Sequence, residues 1–179
     1  MSDPRYSPPR ASVDTSGLER GEGAPPGEPL RIGGWLYLVA LGLSVTAIRG
    51  TYQMYSVYWP IFRDGYWPKL TTAGGAGYHV LWAPLIVGEI VGNLCVIALS
   101  VFALAHFFRK SRKTPRAAVV CYSFGVALVL LDYFVSGFIP AVANNRSASN
   151  SELFRACFSA AIWIPYFLVS KRVKNTFVR

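Results

Sequence analysis

Residues 81–108, LWAPLIVGEIVGNLCVIALSVFALAHFF, carry a single formal charge, Glu89. At about 1.5 Å of rise per residue, a helix of this length exceeds the ~30 Å hydrocarbon core of a bilayer. Helices of water-soluble domains seldom stay so apolar for so long. Three further stretches read the same way, at about 32–54, 117–142 and 153–169. Together they predict an all-α, polytopic membrane protein, a four-helix transmembrane bundle over residues 31–179. Outer loops are expected at 55–80 and 143–152, with an inner loop at 109–116.

Composition agrees. Of 179 residues, 53% are hydrophobic and 15% charged, which is too apolar for an ordinary soluble domain. The net charge of +9 would suit a nucleic-acid ligand, but the cations are placed for another purpose. Arg109, Lys110, Arg112, Lys113 and Arg116 fill one short loop, and Lys171, Arg172, Lys174 and Arg179 follow the last apolar stretch. With Arg5, Arg10, Arg20 and Arg31 before the first, thirteen of eighteen basic residues fall on one side. The positive-inside rule puts that side, and both termini, in the cytoplasm. An even number of spans requires the same arrangement. These cations lie against anionic headgroups, contributing ~1 kcal/mol each, and no nucleic-acid recognition motif accompanies them.

Residues 1–30 differ in kind. Six prolines with scattered Gly, Ser and mixed charge lack apolar periodicity, so a disordered cytoplasmic tail is expected. No short apolar core with a small-residue cleavage site precedes Ile32, and the first span reads as an uncleaved anchor. In the first outer loop Tyr58-Trp59-Pro60 recurs as Tyr66-Trp67-Pro68, aromatics that favour a headgroup zone. This segment is expected to lie along the outer interface.

Within the spans the ionisable residues stand out. Counting from the inner edge at about 1.5 Å per residue, Arg49 lies ~25 Å up, Glu89 ~28 Å, Asp132 ~22 Å and Arg155 ~21 Å. All four reach the outer third of the core, one from each span, and Asn93 lies one turn from Glu89. A lipid-facing charge costs ~2.5–3.5 kcal/mol on insertion scales, so these side chains should turn inward and pair. Two readings follow. Either Glu89 and Asp132 bind a proton, a cation or a headgroup amine beside the two arginines, or the four charges neutralise one another and fix helix register.

Gly88-x-x-x-Gly92, Gly137-x-x-x-Ala141 and Ala156-x-x-x-Ala160 let backbones approach within the bundle. Pro84, Pro140 and Pro165 should cap or kink their helices. Catalytic patterns are missing. Cys95, Cys121 and Cys157 form no C-x-x-C pair, and His79 and His106 fall near opposite faces, so no metal or cofactor site is indicated. The glycines of residues 71–77 are not followed by a GKS or GKT, and no G-x-S-x-G or H-E-x-x-H motif occurs. No enzymatic activity is expected.

The opening Gly33-Gly34-Trp35-Leu36, the Glu89-x-x-x-Asn93 pair and the closing residues 163–177 (WIPYFLVSKRVKNTF) resemble the domain-of-unknown-function family 2569. The resemblance covers residues from about Arg31 onward. It implies a small four-span protein of the bacterial inner membrane and supplies no substrate or catalytic residue. Physically, Trp163, Pro165, Tyr166 and Phe167 form the last turns of a span, after which Ser170, Lys171, Arg172 and Lys174 cross the inner headgroups. Val173 and Phe177, four residues apart, can dip back together. This closing motif is either a lipid anchor or a cytoplasmic docking peptide. The function expected is that of a non-enzymatic accessory or scaffold protein. The alternative is an oligomeric transporter, channel or lipid-handling subunit that uses the intramembrane charges. Membrane lipids are the expected partners, with a membrane-protein partner or a second copy of the chain.

Overall fold

A computed structural model describes residues 34–75 and 77–177. Among the described residues it is all-helical. The elements are α1 (Trp35–Gln53), a π-helical turn (Met54–Tyr58), α2 (Trp59–Arg63), α3 (Tyr66–Thr71), α4 (Trp82–Phe108), α5 (Thr114–Ser136), α6 (Pro140–Ala143), α7 (Ser147–Val169) and α8 (Lys171–Thr176). The tail expected to be disordered lies outside the described residues.

Three helices, α4, α5 and α7, are long and apolar enough to cross a membrane. Their most apolar windows are only 22%, 11% and 11% buried, and Val87, Leu94, Phe102, Leu131, Phe134, Phe154 and Phe158 are exposed. An uncovered apolar jacket of that extent belongs to lipid, which marks a multi-pass membrane protein. α1 is less apolar because Thr46, Arg49, Thr51 and Gln53 occupy its second half. It does not stop there: the π turn and α2 carry the chain on in helical form to Arg63. What read as the start of an outer loop is therefore the end of a helix.

Local sequence explains the ends. The second Tyr-Trp-Pro repeat places Pro68 in the first turn of α3, where the missing N–H is not needed, whereas Pro60 of the first lies just past the π turn. Between them Gly65 takes the left-handed conformation, φ 69°, that ends α2. Arg63 donates to the Asp64 carboxylate at 2.8 Å and holds that carboxyl below its usual range. The third apolar stretch, expected to reach residue 142, is helical only to Ser136. Ile139 is extended before Pro140, as the proline ring demands, and α6 begins there. Gly137 consequently lies past the end of α5, where the guanidinium of Arg146, at the start of α7, sits against it.

The long helices pack in sequence, α1 on α4, α4 on α5 and α5 on α7. Close approach comes from single glycines. A Cβ at Gly92 would strike the Leu128 side chain of α5, and one at Gly50 would lie 2.8 Å from Ile97 of α4. Gly88, the other half of its motif, meets nothing within 4 Å. The core proper sits at one end, where Leu36, Val39, Leu43, Ala103, Phe107, Ala118, Cys121 and Phe167 meet Val173 and Phe177. Gly92→Ala should therefore cost about 1–3 kcal/mol by overpacking. Gly88→Ala should be neutral or slightly stabilising. Unfolding in detergent, followed by circular dichroism, would separate the two.

Candidate functional site

The end of the bundle away from that core is polar. In the π turn the extra residue per turn rotates the chain, so Tyr58 points inward at 5% exposure while Tyr55, Val57 and Trp59 stay exposed. Its hydroxyl donates to Glu89 Oε2 at 3.0 Å. Asn93 Nδ2 donates to the Tyr58 oxygen at 3.3 Å and, more strongly, to the Glu89 carbonyl at 2.8 Å. From α5 the Asp132 carboxyl comes within hydrogen-bonding reach of the Glu89 carboxyl, and Gln53 comes within reach of Tyr58. Glu89, Asn93 and Asp132 are all half-buried.

Neither arginine joins them. Arg49 Nη2 pairs with Glu152 Oε1 of α7 at 3.0 Å, both side chains being nearly half exposed. Arg155 is exposed on α7 with no ion-pair partner among the described residues. The four intramembrane charges therefore split into a carboxyl pair, a separate exposed ion pair and a single arginine. Mutual neutralisation of all four is not what the geometry provides. Tyr58, Gln53 and Glu152 were the residues that sequence reasoning left out. Tyr58 stands nine residues after Arg49, about half a turn away round an unbroken α-helix, so its spacing alone gave no sign that it faces Glu89.

Two neighbouring carboxyl groups attract only when one carries a proton, since a hydrogen bond needs a donor and two carboxylates repel. With a phenol and an amide alongside, the arrangement can take up and release a proton or hold a small cation. Among the described residues no group of three His, Cys, Asp or Glu is placed to hold a metal ion. Cys95, Cys121 and Cys157 are free thiols.

The closing motif forms a second constellation at the opposite end. Ser170 caps α8, its side chain accepting from the Val173 N–H at 3.4 Å. Val173 and Thr176 are fully buried, and Phe177 lies against Phe107 with ring centroids 5.3 Å apart. Trp163 and Tyr166 meet edge to face at 5.9 Å beside the same core. Pro165 lies inside α7, exposed. Arg172 rests over Gly34, whose φ of 59° no ordinary side chain favours, so the opening and closing motifs touch. Val173 and Phe177 dip back into the protein's own core, while Lys171, Arg172 and Lys174 stay exposed.

Fold and site together define a helical multi-pass membrane protein with a half-buried carboxyl pair. The family described as "Protein of unknown function (DUF2569)" matches residues 29–178, and the chain belongs to it. No curated protein and no solved structure matches.

The buried plug sets an expectation for the closing motif. Phe177→Ala should destabilise the bundle by about 3–5 kcal/mol and Ser170→Ala by about 1 kcal/mol. Lys174→Ala should change stability by under about 0.5 kcal/mol. Thermal unfolding of the three variants in detergent would check the order.

Proposed function

We propose that this chain is a four-span protein of the bacterial inner membrane with both termini in the cytoplasm. Its Glu89–Asp132 pair binds one proton or small cation and serves coupled movement of a solute or lipid by an assembly of such chains. The observation that carries this reading is the carboxyl pair itself, with the Tyr58 hydroxyl donating to Glu89, Asn93 donating in turn to Tyr58, and neither arginine paired with it. Ionisable groups within membrane-spanning helices mark proton relays and ion pathways. The fourth span is supported by the unbroken helical run from Trp35 to Arg63 packed on α4. Orientation is supported by the thirteen cations on one side.

An accessory or scaffold role without enzymatic activity is the second reading. Gly88 lies open between exposed Val87 and Val91, a face suited to a partner helix.

In proteoliposomes with a trapped pH indicator, the wild type should relax an imposed pH gradient faster than Asp132→Asn, with both proteins inserted in equal amount. Infrared spectra at neutral pH should contain a protonated-carboxyl band that the Glu89→Gln/Asp132→Asn double variant loses. A wild type without that band, and no faster than empty vesicles, would remove the proton reading and leave the scaffold.

A further inference from the structure

The arginine left over from the intramembrane charges has its own surroundings. Arg155 lines an open groove of about 490 Å³ with Asn150, Ser151 and Phe154 on the outward face of α7. Ser151 lies one helical turn before Arg155, Asn150 lines the same groove from the residue before it, and side chains on a helix lean toward its N-terminus. The guanidinium therefore reaches back toward the amide and the hydroxyl. The apolar part of α7 begins only at Leu153, which puts these three polar groups at the boundary between hydrocarbon and headgroups. Beneath them Phe154 stacks on Phe158, centroids 5.8 Å apart and planes 17° from parallel, a flat apolar floor open to lipid.

Other outer-half cations already have partners. Arg49 takes Glu152, the carboxylate three residues before Arg155 that would otherwise be its natural mate. Arg146 donates to the Tyr133 carbonyl at 3.4 Å and lies 4.7 Å from the Tyr133 ring. A guanidinium at this depth needs an anion with at least two acceptor oxygens, and the bilayer offers one in every phospholipid. We propose that the α7 groove binds the phosphodiester of a phospholipid in the leaflet surrounding the N-terminal end of α7. Arg155 forks onto the phosphate oxygens and the Asn150 amide donates beside it, while Ser151, whose hydroxyl donates to the Ser147 carbonyl at 2.9 Å, lines the groove and an acyl chain lies along Phe154 and Phe158. The assignment rests on the membrane-spanning reading of α7.

Native mass spectrometry of delipidated full-length protein, titrated with dioleoyl phosphatidylglycerol in mild detergent, tests it. Arg155→Gln should weaken phosphatidylglycerol binding about tenfold, the loss of a charge-assisted contact. Arg155→Lys should weaken it less, and dioleoylglycerol, which lacks the phosphate, should bind wild type and Arg155→Gln alike. Equal phosphatidylglycerol binding by wild type and Arg155→Gln would overturn the proposal. So would displacement of the lipid by inorganic phosphate, which would mark a simple anion site. Should Arg155→Gln not fold, the exposed Asn150→Ala/Ser151→Ala variant replaces it, and unchanged binding there overturns the proposal equally. Release of the protein from membranes by alkaline carbonate would mark failure of the membrane reading itself.

Discussion

Leu36, Val39, Leu43, Phe107, Phe167, Val173 and Phe177 gather at one end of the bundle, and there the chain buries its largest side chains. Along the rest of their length the helices leave most of their apolar surface uncovered. Lipid is as apolar as leucine, so burying such surface between helices gains little inside a bilayer, and contact must come from close fit. The plug supplies that fit with five elements converging on one set of aromatics. Gly50 and Gly92 supply it further along, where a bare backbone lets Ile97 and Leu128 seat against the neighbouring helix.

The two ends consequently differ in character. At the plug, Ser170 turns the chain, α8 folds under, and Arg172 closes over Gly34. At the other end the contacts are directional: a phenol, an amide and two carboxyls from three separate helical segments. Apolar contacts tolerate small shifts, whereas hydrogen bonds lose strength steeply with misalignment. The apolar plug thus holds the helices together at one end, and directional hydrogen bonds gather around the carboxyl pair at the other.

Much of this was legible in the residues. Hydropathy located the long helices α4, α5 and α7, and the closing WIPYFLVSKRVKNTF pointed to the family. Depth counting put Glu89, Asn93 and Asp132 at a common level, because rise per residue is nearly constant in a helix. It could not say which way each side chain faced. Azimuth depends on helix rotation, which hydropathy does not report, and beyond α1 it is altered again by a π turn that leaves no clear mark in the sequence. Arg49 was therefore set beside Glu89, when its partner is Glu152, hidden in a segment read as loop because Ser147, Ser149, Asn150 and Ser151 lower its hydropathy. The third stretch was read too long for a different reason. Phe138, Ile139 and Val142 keep it apolar past Ser136, and only Pro140 marks that the backbone has already turned.

The π turn at Met54–Tyr58 has a consequence for how such a site could arise. An α-helix has one phase, so turning a residue toward a new neighbour normally turns everything after it as well. One additional residue in a turn breaks that link. Trp35–Gln53 keeps the phase that seats Leu36, Val39 and Leu43 in the plug, while the chain beyond it is rotated to present Tyr58 to Glu89. A single inserted codon is enough to produce such a turn, and it leaves the packing of the preceding helix untouched. In this chain the segment that holds the bundle together and the segment that reaches the carboxyl pair are free to change independently, although they belong to the same helical run.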